Sequence, residues 1–167
     1  MTKKHPLRIL AIDPGTRHMG VALFENGYPV HAGVKTIKKY KSPHETLRDC
    51  RKVVLSLIDD FRPQAIVVEK TFFANNRNSS LLNVLGDEIK AIGKRKKIQV
   101  LGYAPSTVKK AVCGHGRASK EEVARVIVAK YPELKVYLTQ DRKWKEKFHQ
   151  NMFDAVALAV LATKSKK

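Results

Sequence analysis

Residues 7–27 read LRILAIDPGTRHMGVALFENG, and this stretch decides what kind of sheet the chain builds. Its first apolar run, residues 7–12, has the length and composition of a buried strand and ends at Asp13. Pro14 and Gly15 predict a turn directly after that acid. The sequence therefore predicts a strand that delivers a carboxylate to the edge of the sheet.

Two further strands are predicted next. Residues 18–25 alternate well enough between apolar and other side chains to form a strand. Asn26-Gly27 is a favoured two-residue hairpin turn, and residues 28–37 continue as a third strand. The opening of the chain is therefore predicted to be an antiparallel meander of three strands.

The rest of the chain alternates between helical and strand patterns. Apolar residues at helical spacing predict a first helix that ends at Arg62-Pro63. The short apolar run 65–68 predicts a strand that is covered on both faces and ends at Glu69. A polar loop 75–80, a helix from Leu81 to Ile92 and a strand 98–101 are predicted next. A helix then begins at Pro105 and is broken by Gly114-His115-Gly116, and a further helix runs to Lys130 with a capping box of Ser119 and Glu122. An irregular segment 135–149 and a last helix 152–162 complete the prediction.

This order of elements indicates an α/β fold in which helices flank a five-stranded mixed sheet, three antiparallel strands followed by two parallel ones. A crossover through the first helix would place the first and fourth strands side by side and parallel. Asp13 and Glu69 would then project from neighbouring carboxyl ends, where open α/β sheets usually carry their sites. We expect one domain over residues 1–163 and a basic tail over 164–167.

The charge of the chain is strongly unbalanced, since 33 Lys and Arg stand against 15 Asp and Glu and give a formal net charge of +18. Nucleic acid is the expected partner, because a polyanion relieves the self-repulsion of such a surface. No apolar stretch is long enough to cross a bilayer, and the opening residues lack the apolar core of a secretory signal. Cys50 and Cys113 form no CxxC pair, so we expect reduced thiols and a cytoplasmic protein, associated with the nucleoid if it is bacterial.

Three acids stand out because apolar residues surround them. Asp13 and Glu69 each end an apolar strand, where an acid could also cap the next turn or pair with a Lys or Arg. Asp154 is the only charge in an eleven-residue window of the last helix, and its alternative role is a salt bridge to one of the lysines. Asn151, three residues earlier, lies on the same helical face. Oxygen ligands suit Mg²⁺ or Mn²⁺, so we predict a site for two such ions that hydrolyses phosphodiester bonds.

Four segments make the chain resemble the RuvC family of Holliday junction resolvases over nearly its whole length. They are IDPGTRHMG at 12–20, VVEKTF at 67–72, TVK at 107–109 with GHG at 114–116 and Lys120, and DAVALA at 154–159. The resemblance implies a ribonuclease H-like fold and a homodimer that binds four-way DNA junctions and nicks two opposed strands symmetrically with Mg²⁺. It is also compatible with a helicase as a further partner.

The resemblance further implies roles for single residues. Asp13, Glu69 and Asp154 match the family's catalytic acids, and Asn151 is a fourth candidate metal ligand. Lys109 and Lys120 match basic residues near the scissile phosphate. The set expected to bind DNA is Phe72, Arg17, Lys70, Arg77, Lys109, Lys110, Arg117 and Lys120.

The chain departs from the family's pattern at two places. Asn151 stands where family members commonly carry a second Asp or a His, so the ligand there would be an uncharged amide oxygen. The segment 141–149 is longer and more basic, and its Trp144 could stack on DNA bases or cover the edge of the core.

Three other functions fit parts of the sequence. A YqgF-type nuclease of the same fold, which acts on RNA, resembles the chain in DPGTRHMG at 13–20 but does not combine the Glu69 and Lys109 segments. An actin-like ATPase needs two such domains and about twice this length. The third is a junction-binding protein with weakened cleavage, in which the uncharged Asn151 accounts for the lost activity.

Overall fold

The computed structural model describes residues 5–70, 77–141 and 148–165. Its opening is the predicted meander, in which β1 (Arg8–Asp13), β2 (His18–Glu25) and β3 (Tyr28–Thr36) pair antiparallel in chain order. Asn26 and Gly27 turn the chain between β2 and β3 with positive φ angles of 51° and 88°. Asparagine and glycine tolerate that conformation, which explains why a two-residue turn forms here.

The remaining elements are α1 (Pro43–Phe61), β4 (Ala65–Glu69), α2 (Arg77–Arg95), β5 (Gln99–Tyr103), α3 (Pro105–Cys113), α4 (Lys120–Lys130), a 3-10 turn (Pro132–Leu134), α5 (Lys135–Asp141) and α6 (Gln150–Lys164). The first of these helices has clear end signals in the sequence. The Ser42 side chain accepts a hydrogen bond from the His44 N–H at 3.2 Å, and Arg62 ends α1 in the left-handed conformation. None of the described helices combines the length and apolar character needed to span a bilayer.

Over the described ranges, the strands form one five-stranded sheet in the order β3-β2-β1-β4-β5. β1 pairs parallel with β4, and β4 pairs parallel with β5. The crossover through α1 and the mixed sheet flanked by helices are therefore confirmed. This crossover is what places the carboxyl ends of β1 and β4 beside each other.

Some boundaries differ from the sequence predictions. α2 begins at Arg77, so residues 77–80 of the predicted polar loop are helical, and the ends of β5 and α6 shift by one or two residues. The prediction that 135–149 is irregular was wrong for 135–141, which form α5. Tyr137 and Leu138 pack against the core there, and such tertiary contacts stabilise a helix too short to show a clear apolar period.

The predicted capping box of α4 forms. The Ser119 side chain accepts a hydrogen bond from the Glu122 N–H at 3.1 Å, as expected for a helix N-cap. The Glu122 carboxylate is engaged by His115 Nε2 at 2.8 Å. The break after α3 is therefore tied to the first turn of α4 by a side-chain pair that the sequence rules did not predict.

Helices cover both faces of the sheet, and alternate strand residues face each layer. One set packs against α1 and α2 and consists of Leu10, Ile12, Met19, Val21, Leu23, Ile66 and Val68. The other set packs against α3, α4 and α6 and consists of Ile9, Ala11, Ala22, Phe24 and Val67. Asp13 and Glu69 continue the second set, because each lies two residues after one of its members. The fold therefore brings both acids to the face covered by the helix that carries Asp154.

Candidate active site

Two acids end adjacent parallel strands at one edge of the sheet. Ile12 is in register with Val68, so the next residues, Asp13 and Glu69, emerge side by side. Both line a cavity of about 290 Å³ that opens between this edge and the helices above it. The cavity is lined by Asp13, Pro14, Glu69, Leu82, Pro105, Val108, Lys109, Lys120, Val123, Asn151, Asp154 and Ala157. The structure thus brings the three acids, Asn151 and both candidate catalytic lysines to one cavity.

Asp154 reaches this cavity from the first turns of α6. Its side chain is 18% exposed, and its Oδ2 accepts a hydrogen bond from Lys120 Nζ at 3.2 Å. The salt bridge that the sequence left open as an alternative therefore exists, but its lysine belongs to the same site. Among the described residues, no three acidic, histidine or cysteine side chains stand close enough to form a ready cluster for a metal ion.

The acids of the cavity hold their protons more tightly than free carboxylates do. Burial, followed by the charges of Asp154 and Glu69, raises the pKa of Asp13 well above its usual value. Burial is also the main reason why the pKa of Glu69 and that of Asp154 are raised. Carboxylates that destabilise one another in a shared cavity are what a bound cation would stabilise.

The lysines oppose this effect. Burial lowers the pKa of Lys120, but the charge and hydrogen bond of Asp154, together with Asp13 and Glu69, raise it above its usual value overall. Lys109 and Lys120 in turn work against the raised pKa of Glu69. The cavity therefore combines proton-retaining acids with a firmly charged lysine, Lys120.

Asn151 lines the cavity from the first turn of α6. Its Nδ2 donates a hydrogen bond to the carbonyl oxygen of His18 at 3.1 Å. This hydrogen bond holds the side-chain amide at the start of β2.

The other residues predicted to bind DNA lie around the cavity or outside the described part. Arg17, Lys70, Lys110 and Arg117 are exposed and do not line the cavity, and Arg17 Nη1 donates to the Ile37 carbonyl at 3.0 Å. Arg77 is the first residue of α2. Phe72 and Trp144 lie outside the described residues, so their predicted roles stay predictions.

Sequence reasoning missed the close approach of α6 to β2. A Cβ atom on Gly20 would lie 1.8 Å from the Asn151 carbonyl oxygen, so the helix backbone rests directly on this glycine. Gly20 is the signal in the sequence that points to this contact, because only a residue without a side chain allows it.

Comparison with known proteins identifies the family. The family model "Crossover junction endodeoxyribonuclease RuvC" matches residues 9–161. The RuvC protein of Christiangramia forsetii is 35% identical over 124 residues, which span 71% of this chain and 65% of that protein. The RuvC protein of Prochlorococcus marinus subsp. pastoris is 33% identical over 128 residues, which span 73% of this chain and 80% of that protein. The chain therefore spans slightly less than two thirds of one of these relatives and more of the other.

Solved structures show the same fold. Thermus thermophilus RuvC in complex with a Holliday junction substrate superposes with a TM-score of 0.75 at 23% identity, covering 96% of this chain and 95% of that one. The yeast mitochondrial Holliday junction resolvase superposes with a TM-score of 0.74 at 14% identity, covering 98% and 80%. The predicted ribonuclease H-like fold is thereby confirmed.

Proposed function

Because the chain belongs to the RuvC family of crossover junction endodeoxyribonucleases, we propose that it resolves four-way DNA junctions by nicking two opposed strands symmetrically. The observation that carries this proposal is the convergence of Asp13, Glu69 and Asp154 on one cavity together with Lys109 and Lys120. Carboxylates for a cation and ammonium groups for a phosphate are the two kinds of group that phosphodiester hydrolysis requires. The net charge of +18 supplies the attraction to DNA.

The three carboxylates of the cavity are the kind of donor that a divalent cation prefers. Nucleases of this family are metal-dependent, and buried carboxylates with raised pKa values gain most from a positive charge placed among them. Asp13, Glu69 and Asp154 would hold Mg²⁺, with Mn²⁺ as a substitute, and two ions per site are proposed. When bound, Mg²⁺ supplies Lewis-acid activation of water and of the phosphate oxygens.

The chain's own groups position and neutralise the substrate. Lys120 donates a hydrogen bond to Asp154, which orients that carboxylate and counters part of the rise in its pKa. Lys109 lies half-buried in the same cavity, where its ammonium group would neutralise the scissile phosphate. α3 begins at the cavity wall with Pro105, and its N-cap residue Ala104 makes no capping bond, so its positive helix end adds to this attraction. Arg17, Lys70, Arg77, Lys110 and Arg117 are proposed to contact the DNA arms, and Phe72 a base.

Symmetric nicking requires two sites, so we propose that the protein acts as a homodimer in the cytoplasm, with a helicase as a further partner. Most of the apolar face of α2 is not available to a second copy, because Leu85, Ile89 and Ile92 are buried in the protein's own core. Val84, on the same helix, is 43% exposed and is available to a second copy.

One observation favours a second candidate, a junction-binding protein with weakened cleavage. Asn151 has no charge, and its amide is bonded to the His18 carbonyl. This corner of the cavity therefore carries no charged ligand. A nuclease that acts on RNA is the remaining alternative from the sequence, and no contact of the cavity favours it.

Cleavage of three labelled substrates tests the proposal. The protein is incubated with a synthetic four-way junction, a matched duplex and a structured RNA, each with and without Mg²⁺ or Mn²⁺. We expect paired nicks at opposed strands of the junction that depend on the cation. Cleavage of RNA alone would overturn the proposal, and tight junction binding without nicks would support the second candidate. Asp13→Asn serves as the inactive control. Glu25→Gln removes an acid that pairs with Arg8 outside the cavity and should cut normally.

A further inference from the structure

We propose that Asn151 is a positioning residue and not a cation ligand: it ties the first turn of α6 to the start of β2 and so fixes Asp154 relative to Asp13. The inference rests on the proposed nuclease function only for its kinetic part, because the structural part concerns the protein without cation or DNA. The three contacts that support it lie at the junction of β2 and α6.

The hydrogen bond of Asn151 is the first contact. Its partner, the His18 carbonyl, can only accept, so the Asn151 atom that faces it at 3.1 Å must be the donating Nδ2. The bond is partly buried and joins residues 133 positions apart in the chain. Because α6 carries Asp154 three residues later, a restraint on the first helical turn is also a restraint on that carboxylate.

Gly20 provides the second contact. It is in register with Asp13 across the β1–β2 pair, and the backbone of α6 rests on its Cα. A Cβ atom there would lie 1.8 Å from the backbone carbonyl oxygen of Asn151 and 3.0 Å from the backbone nitrogen of Met152, so any side chain would displace the helix. The separation between Asp13 and Asp154 is therefore set through a single glycine and the turn of helix that it accommodates.

Aromatic side chains hold the same junction from the other side. The His18 ring packs edge-on against the Phe148 ring at 5.3 Å between centroids, and Phe148 packs against His149 at 5.0 Å. These rings fasten the residues just before α6 to the residue whose carbonyl receives the Asn151 bond. The helix start is thus held to β2 through side chain, backbone and aromatic contacts together.

The positioning role requires an amide. An aspartate at position 151 cannot donate to the His18 carbonyl and would turn a negative oxygen toward it. If Asn151 were instead a cation ligand, Asn151→Asp would increase the affinity for Mg²⁺ or Mn²⁺, because a carboxylate binds these ions more strongly than an amide oxygen does. The substitution Asn151→Asp therefore separates the two roles.

The test compares Asn151→Asp, Asn151→Ala and the control Gln150→Glu in the full chain. Gln150→Glu adds the same charge one residue earlier in α6 and leaves the Asn151 amide intact. For each variant the melting temperature and the amide hydrogen exchange of β2 and α6 are measured without cation. Mn²⁺ affinity is then measured by calorimetry, and kcat and KM on a four-way junction are measured with Mg²⁺.

We expect both Asn151 variants to lose about 3 °C in melting temperature and to exchange faster at the start of β2, while Gln150→Glu does not. We also expect their kcat to fall about tenfold or more with KM within about twofold, because Asp154 is misplaced while DNA binding is retained. The proposal would be overturned if Asn151→Asp bound Mn²⁺ more tightly than the unmodified chain or kept its kcat. It would also be overturned if Asn151→Ala lost affinity for Mn²⁺ while its melting temperature and hydrogen exchange stayed unchanged. If the unmodified chain does not nick the junction, the nuclease function fails, whereas melting and exchange still decide the positioning role.

Discussion

The two faces of the sheet differ in the size of the side chains that they present to their helices. Toward α1 and α2, the central strands present only large side chains, Met19 and the branched aliphatic residues Leu10, Ile12, Val21, Leu23, Ile66 and Val68. Toward α6, Ile9, Phe24 and Val67 are also large, but the positions of β1 and β2 closest to Asp13 hold Ala11, Gly20 and Ala22. The helix α6 contributes Ala155, Ala157, Ala159 and Ala162 to the same layer. Small residues on both sides let a helix approach a sheet closely. Both faces are therefore built for apolar burial, and the α6 face also places its helix close to the strands beside Asp13.

The same difference separates stability from chemistry. The α6 face carries Asp13 and Glu69 at its edge, and burial raises the pKa of both, so ionising them costs the folded state free energy. The α1/α2 face offsets such costs with aliphatic residues that are almost completely buried. Substitutions on the two faces should consequently have separable effects on catalysis and on folding.

The largest effect is expected at the carboxylate edge. Asp13→Asn should reduce junction nicking roughly 10³-fold, because it removes a charged ligand without changing the size of the side chain. Junction affinity, measured by gel shift in the absence of cleavage, should stay within about threefold of the unmodified protein. Equal loss of binding and cleavage would mean that Asp13 is a structural residue.

The next largest effect concerns the opposite face. Leu57→Ala in α1 removes a side chain that is 2% exposed and should lower the free energy of unfolding by about 3 kcal/mol. The cleavage rate well below the melting temperature should change less than about twofold, since Leu57 does not line the cavity. Urea unfolding and a junction assay check the two halves, and a large drop in rate would contradict the separation of the faces.

Overpacking the α6 face should have a mixed effect. Ala22→Val adds two methyl groups beneath α6 and should lower the free energy of unfolding by about 2 kcal/mol. Unlike the change at Leu57, it should also lower kcat, because α6 can accommodate the methyl groups only by moving away from the sheet. An unchanged kcat would show that α6 adjusts without displacing Asp154.

The smallest effect is a gain in stability. Glu69→Gln should raise the free energy of unfolding at neutral pH by about 1 kcal/mol, because it removes a carboxylate whose pKa is raised by burial and by the charge of Asp154. A raised pKa in the folded state means that stability falls as pH rises through that pKa. The gain should therefore shrink as the pH is lowered toward the acid's ordinary pKa, and thermal melts across this range measure it. A gain that grew in acid would contradict the direction of the shift.

Much of the fold and the composition of the cavity could be predicted from the sequence. The strands of the meander, the crossover through α1 and the adjacent ends of β1 and β4 all follow from apolar periodicity and turn residues, which are local signals. Asp13, Glu69 and Asp154 were found because a charge among apolar residues is conspicuous in a sequence.

The remaining features depend on contacts between distant segments. The Asn151 bond to His18, the Gly20 contact with α6 and the salt bridge from Lys120 to Asp154 each join residues that no local pattern connects. α5 was missed for the same reason, since its packing against the core outweighs its weak period. Phe72 and Trp144 lie outside the described residues, and their roles stay predictions.

Proton release on cation binding tests most directly whether the three carboxylates hold the metal. Mn²⁺ is titrated calorimetrically at mildly acidic pH in buffers of different ionisation enthalpy, with the unmodified chain and Asp13→Asn compared. Because the pKa of Asp13 is raised well above its usual value, cation binding should displace protons from the unmodified chain, and Asp13→Asn should release fewer and bind more weakly. Equal proton release and equal affinity in the two proteins would contradict the assignment of these acids as the metal ligands.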